Sequence, residues 1–377
     1  MNGSHDIRNP HVLRYLLNKK ELNELYISTI LRTLAFSMIG IFVPLFLFKE
    51  LNYSLNYIVY FYLIYSIAFL ISTPVASFVN KHLGFKHTIT ISMPLYILYF
   101  GLLYMLEDNP NLFILVPLIY GVAEGLFWLA FHIDFCMYSD GKERGKQLGK
   151  YYSFSLLAGL VGPLIGGVIL TFSDFSTLFI IVSILIIGSS IPLLLSKDHK
   201  KKIKHTWNFF NAGSKRDFIS YCCVGARGVV ETVFWPIFIF SILNMYMAMG
   251  SLFTLLGIAS LVTTFVIGKL TDVFNKRTLV KWFSILHAGV WIFKIFITTR
   301  LELIGASLFS SSTVIGLDLP YSAIMYNKTH KRVEYLMFRE FGLCVGRIVV
   351  LLLILATGSI WSSFVYASIS SLGYMLL

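Results

Sequence analysis

Arg227-Gly-Val-Val-Glu231-Thr-Val-Phe-Trp235-Pro236 sets a guanidinium and a carboxylate one helical turn apart inside an otherwise apolar stretch. At about 100° per residue, Arg227, Glu231 and Trp235 form one drifting stripe. The two charges can neutralise each other, and Pro236 supplies a flexible point just beyond. The same spacing returns in Glu124-Gly-Leu-Phe-Trp128. A carboxylate taken out of water exchanges a proton nearer neutral pH, which is the chemistry of proton coupling; a static ion pair accounts for the same residues. Arg32, Arg347 and the Asp318 of Gly316-Leu-Asp318-Leu-Pro320 also lie in apolar surroundings. An ionised side chain there costs roughly 2.5 to 3.5 kcal/mol on insertion scales, so each one calls for a cavity or a partner. Arg347 is expected to pair with a carboxylate, with Asp318 as the candidate. His132 and Asp134 point about 200° apart and read as interfacial polar residues, not as a catalytic or metal pair.

Nothing in the chain supports covalent chemistry. Gly141-Lys-Glu-Arg-Gly145-Lys146 lacks the spacing and the following Ser or Thr of a phosphate-binding loop. The four cysteines show no CxxC or Cys/His ligand spacing, so neither a disulfide framework nor a metal site is expected, and no cofactor is implied.

The elements that must position these residues are membrane helices. Hydrophobic residues make up 56% of the chain and charged residues 13%, and the mean hydropathy is +0.75. Twelve apolar spans, each long enough to cross ~30 Å of hydrocarbon, fall near 26–48, 54–78, 88–106, 112–137, 150–172, 176–196, 217–242, 247–270, 280–299, 303–325, 335–356 and 360–377. The net charge of +12 comes from basic residues that alternate from loop to loop; of the 31 Lys and Arg, only Lys49 and Arg300 fall in outer loops. This pattern places both termini on the cytoplasmic side and explains the basicity without nucleic acid. The polar first 24 residues are not expected to form a cleavable signal.

The chain also states one segment twice. Pro44-Leu-Phe-Leu-Phe-Lys-Glu-Leu-Asn52 returns as Pro236-Ile-Phe-Ile-Phe-Ser-Ile-Leu-Asn244, identical at five of nine positions and 192 residues later. Two similar halves are therefore expected, 1–196 and 217–377, joined by a basic linker, 197–216, in which Trp207, Phe209 and Phe210 interrupt the lysines. The repeat register puts Ala35 and Ile39 opposite Arg227 and Glu231, so the Arg–Glu pair is expected in one half alone.

Twelve spans in two six-span halves, a long central loop, and basic turns after the second and eighth spans resemble the major facilitator superfamily. Its loop signature, G-x-x-x-D-[RK]-x-G-[RK]-[RK], is matched by Gly268, Asp272, Lys276 and Arg277, with Val273 and Asn275 departing from it; in the first half only Gly84 and Lys86 fit. Gly162-Pro163-Leu-Ile-Gly166-Gly167 is similar to a motif of many exchange-type efflux members, and it reads equally as a site of close helix packing and bending.

The resemblance implies an all-α integral membrane protein with twelve transmembrane helices in two pseudosymmetric six-helix bundles. Its first, fourth, seventh and tenth spans would line a central cavity. Glu124, Glu231 and Asp318 would then be proton-coupling candidates and Arg32, Arg227 and Arg347 charge partners or substrate ligands. Trp128 and Trp235 would be cavity walls, and the basic turns a latch between halves. The expectation is a secondary active transporter in the cytoplasmic membrane, proton-coupled, with efflux of amphipathic compounds slightly favoured. Organic-anion uptake or exchange, resting on Arg32 and Arg227, and a non-transporting sensor or scaffold are the alternatives. The expected partners are a small-molecule substrate, a proton or other coupling ion, and the bilayer, with the chain a monomer.

Overall fold

The computed structural model describes residues 10–138, 144–194, 209–329 and 333–377, with side chains for all of these except 10–22, 25, 134–138, 144–155 and 272. Among them every regular element is helical, as lipid demands of a backbone that must satisfy its own hydrogen bonds. In the first half, α1 runs over Pro10–Ile39 and continues through the short turns Val43–Leu45 and Phe46–Glu50. It is followed by α2 (Leu55–Leu83), α3 (Phe85–Met105), α4 (Leu115–Tyr138), α5 (Arg144–Phe172) and α6 (Phe175–Leu194). In the second half, α7 comprises Lys215–Val229, a π-helical turn Val230–Phe234, and Trp235–Leu243. Then come α8 (Tyr246–Val273), α9 (Lys276–Lys294), α10 (Arg300–Thr329), α11 (Val333–Thr357) and α12 (Ile360–Leu372). Nine helices among the described residues are long and apolar enough to cross a membrane on length and composition alone. Ile71, Ile180, Ile184, Val262 and Phe265 stand exposed on the outside, a belt that suits acyl chains rather than water.

The packing repeats between halves. α1 lies against α5 and α6, α4 against α2 and α3, and α3 against α6; the second half repeats each pairing with its own helices, six further along the chain. The halves meet where α2 touches α11 and where α5 touches α8, which are also equivalent pairs. The duplicated segment ends both first helices alike. Asn52 and Asn244 are the two non-glycine residues of positive φ among the described residues, at 52° and 53°, the left-handed C-terminal stop that Asn tolerates better than other side-chain-bearing residues.

Glycine sets the close approaches. A Cβ on Gly162 or Gly166 would overlap Ser37 or the Met38 carbonyl of α1, and one on Gly167 would lie 2.8 Å from the Tyr246 carbonyl at the start of α8. The second half does the same between α11 and α7, where Gly346 meets the Cys222 carbonyl. Small residues at four-residue spacing allow such contact. Pro236 cannot donate a backbone hydrogen bond, and the π-helical turn that precedes it takes up the resulting irregularity in α7.

Candidate functional site

A cavity of about 790 Å³ lies between the halves, lined by Arg32, Glu124 and Trp128 from the first and by Arg227, Glu231 and Arg347 from the second. On the first-half side, α1 and α4 bring together two charges 92 residues apart in sequence. Arg32 Nη2 donates to Glu124 Oε1 and to the Tyr96 hydroxyl, each at 2.6 Å, and the Tyr96 hydroxyl donates to the same carboxylate oxygen at 2.6 Å. Trp128 Nε1 donates to the other oxygen, Oε2, at 2.8 Å. The guanidinium carbon sits 3.6 Å from the Phe127 ring centre and 4.3 Å from that of Phe36. Aromatic faces and a saturated carboxylate together hold the buried cation.

The second-half side is built on the same plan and charged differently. Arg227 Nη2 donates to both oxygens of Asp318 on α10, at 3.0 and 2.9 Å and 91 residues away. Its Nε donates to the Tyr374 hydroxyl at 2.8 Å, and Nη1 donates to Glu231. An arginine on the first helix of each half thus meets a carboxylate on the fourth, so the pairing is not confined to one half, as the repeat register had implied. Pro44 follows Arg32 by twelve positions and Pro236 follows Arg227 by nine. The three additional residues fall where α1 is interrupted, at 40–42, which lets both ends of the repeat keep their places.

The profile of the Major Facilitator Superfamily matches residues 25–351. The chain belongs to that superfamily. Its fold is similar to a crystal structure of the E. coli fucose:proton symporter, at 13% identity and a TM-score of 0.65 over 94% of this chain and 96% of that one. It is also similar to the nucleoside transporter NupG, at 15% identity and a TM-score of 0.69 over 94% and 99% of the two chains. No curated protein sequence matches. This superfamily member is therefore a multi-pass membrane transporter of a family that moves small molecules rather than one of enzymes.

Several expected positions differ in the superfamily member's structure. Trp235 is not a cavity wall: it is 3% exposed and packs on Trp291 and Phe364, with ring centres 6.1 and 5.7 Å away. The π-helical turn Val230–Phe234 alters the rotation between Glu231 and Trp235, so spacing that keeps Glu124 and Trp128 on one face separates the later pair. Arg347 does not pair with Asp318, which Arg227 holds; it lies over Tyr65 and Phe69 of α2. His132 is buried rather than interfacial. It accepts from Arg339 at 3.3 Å through Nε2 and bonds the Tyr326 hydroxyl at 3.0 Å through Nδ1, with Glu340 at 3.8 Å, linking α4 to α10 and α11 across the halves. The side chain of Asp134 lies outside the described residues.

Of the latch residues, Lys86 is buried and pairs with Glu24 on α1 at 2.8 Å, within its own half. Gly84, at φ 97°, makes the turn from α2 to α3. Gly268 lies in open space, and Asn275 in place of the signature glycine caps α9 by accepting from the Arg277 amide. Lys276 is the first residue of that helix; the Asp272 side chain lies outside the described residues.

The expected site residues do not include Lys294. It is fully buried at the end of α9, its ammonium nitrogen 3.7 Å from the Trp291 ring centre and 4.0 Å from that of Trp235, with no hydrogen-bond partner. His287, one turn before Trp291, accepts from the Trp291 indole at 3.0 Å and bonds Thr313 at 2.9 Å. The Trp291-x-x-Lys294 spacing was the available signal, since it places an indole and an ammonium on one helix face.

Proposed function

We propose that this chain is a proton-coupled secondary transporter that carries a small organic substrate through the cavity between its halves. Residues 1–196 would rock against 217–377, with 197–216 as the tether. The observation that carries the reading is a pair of carboxylates held by one arginine. One arginine, Arg227, holds both Glu231 and Asp318, whereas Arg32 holds Glu124 alone. Arg227 shares its guanidinium between two carboxylates from different helices, and movement between α7 and α10 changes which of them it holds. Access differs in the same sense: the side chains of Glu231 and Asp318 are 28% and 42% exposed, that of Glu124 9%. In this reading Glu231 and Asp318 carry the proton and Glu124 holds Arg32 in place. A fucose:proton symporter among the similar structures fits such coupling.

The Gly162-Pro163-Leu-Ile-Gly166-Gly167 run is occupied in packing, so it gives no argument for export, and the reading assigns no direction. We place both termini at the cytoplasmic face of the cytoplasmic membrane, because the basic residues gather in the loops on that side, and take the monomer as the working unit.

The test is transport in proteoliposomes supplied with sugars, nucleosides, amino acids, organic anions and cationic amphiphiles in turn, with internal pH followed. One class is expected to move protons with it. Glu231→Gln and Asp318→Asn should each abolish accumulation driven by a pH gradient while exchange of labelled for unlabelled substrate persists. Gradient-driven accumulation at the original level in both variants would overturn the coupling assignment.

A further inference from the structure

We propose that Arg347 is the anchor for the substrate, and that the substrate is an organic monocarboxylate with an apolar or aromatic body. This deepens the transporter reading above and rests on it. Four arginines line the cavity, and three are neutralised within the protein: Arg32 by Glu124, Arg227 by Glu231 and Asp318, and Arg339 by Glu340. Arg347, on α11, is the lining cation that makes neither an ion pair nor a hydrogen bond among the described residues. Its Nη1 is buried without a partner. Its guanidinium carbon lies 5.8 Å from the Tyr65 ring centre and 5.0 Å from that of Phe69, both on α2 of the opposite half.

Ring faces offset part of the cost of burying the charge but accept no strong hydrogen bond from the remaining donors. A planar carboxylate matches the guanidinium fork and supplies the missing acceptors. One unpaired cation fits one negative charge. The body of such a molecule would lie against Phe36, Tyr120 and Trp128, cavity-lining rings that stay partly exposed, as expected of an apolar pocket with few oriented polar groups. Because Arg347 reaches across to α2, a carboxylate bound there touches both halves, as a substrate that senses their rearrangement must. Arg32 and Arg227 do not serve this purpose, since their own carboxylates occupy them.

The experiment compares benzoate and 2-naphthoate with benzamide and 2-naphthamide, and with fucose and uridine, as stabilisers of the purified full chain in detergent. The carboxylates should raise the melting temperature in a concentration-dependent way and the amides should not. Arg347→Gln should remove the response, and Arg347→Lys should keep it at roughly tenfold weaker affinity, a point charge replacing a fork. Equal stabilisation by amide and carboxylate, no response to either carboxylate, or an unchanged response in Arg347→Gln would overturn the assignment. If Arg347→Gln fails to fold, the wild-type comparison and Arg347→Lys decide. Proton movement in proteoliposomes separates the two readings. Movement driven by fucose or uridine and retained in Arg347→Gln overturns the anion site and leaves the transporter. Carboxylates that bind through Arg347 without moving protons leave the site and overturn the coupling.

Discussion

In the first half Arg32 on α1 meets one carboxylate on α4, and Tyr96, Trp128 and the Phe127 face enclose the pair. In the second half Arg227 on α7 meets the equivalent carboxylate on α10 and also Glu231 from its own helix, while Lys294 sits nearby between two indoles. The frame is shared: the two inter-helix pairs span 92 and 91 residues. The charge balance is not. Duplicating a scaffold settles where an arginine meets a carboxylate, and a few added side chains decide how many carboxylates meet it.

The sharpest way to break this comparison is to remove each arginine. Arg32→Gln leaves Glu124 unpaired and is expected to cost about 3 to 5 kcal/mol, read as a fall in melting temperature; adding Glu124→Gln should restore most of it. Arg227→Gln should cost more, and adding Glu231→Gln should restore less, because Asp318 is still uncompensated. Equal recovery in the two double variants would mean that the second carboxylate does not distinguish the halves.

Packing should be the same where charge is not. Gly166→Ala and Gly346→Ala both drive a methyl into a neighbouring backbone carbonyl and should each destabilise by about 1 to 3 kcal/mol. Gly268→Ala, in open space, should stay within about 0.5 kcal/mol. A large difference between the first two would mean that the halves do not share their packing. Lys294→Met, which replaces an ammonium without a hydrogen-bond partner by an apolar chain of similar length, should leave the melting temperature equal or higher. A fall like that of Arg32→Gln would instead make Lys294 an electrostatic partner of the second cluster. Ser214→Ala, which removes the capping box at the start of α7, should cost about 1 kcal/mol in thermal unfolding.

Most of the frame is legible in the sequence. Twelve apolar segments announce themselves because lipid offers the backbone no partner, and the repeated Pro-to-Asn segment announces two halves whose first helices end alike. The polar residues of the cavity were legible for the related reason that each is expensive in an apolar segment. Their partners were not. Charge alone offers Asp318 to Arg347, yet Arg227 holds it, because charge does not say which helices are neighbours. Trp235 was placed beside Glu231 by a regular helix period that a π-helical turn breaks. His132 reads as interfacial from the sequence, yet residues of α10 and α11 bond it.

What the amino-acid sequence determined by itself is the composition of the problem: helices that cross a bilayer, two related halves, and a short roster of charges that cannot be left alone there. Hydrophobicity and periodicity act along the chain and can be read along it. The tertiary structure decided which arginine is closed by a carboxylate and which is left facing the cavity. Those outcomes depend on contacts between helices some ninety residues apart, on three additional residues at the break in α1, and on one π-helical turn in α7, none of which a local pattern encodes.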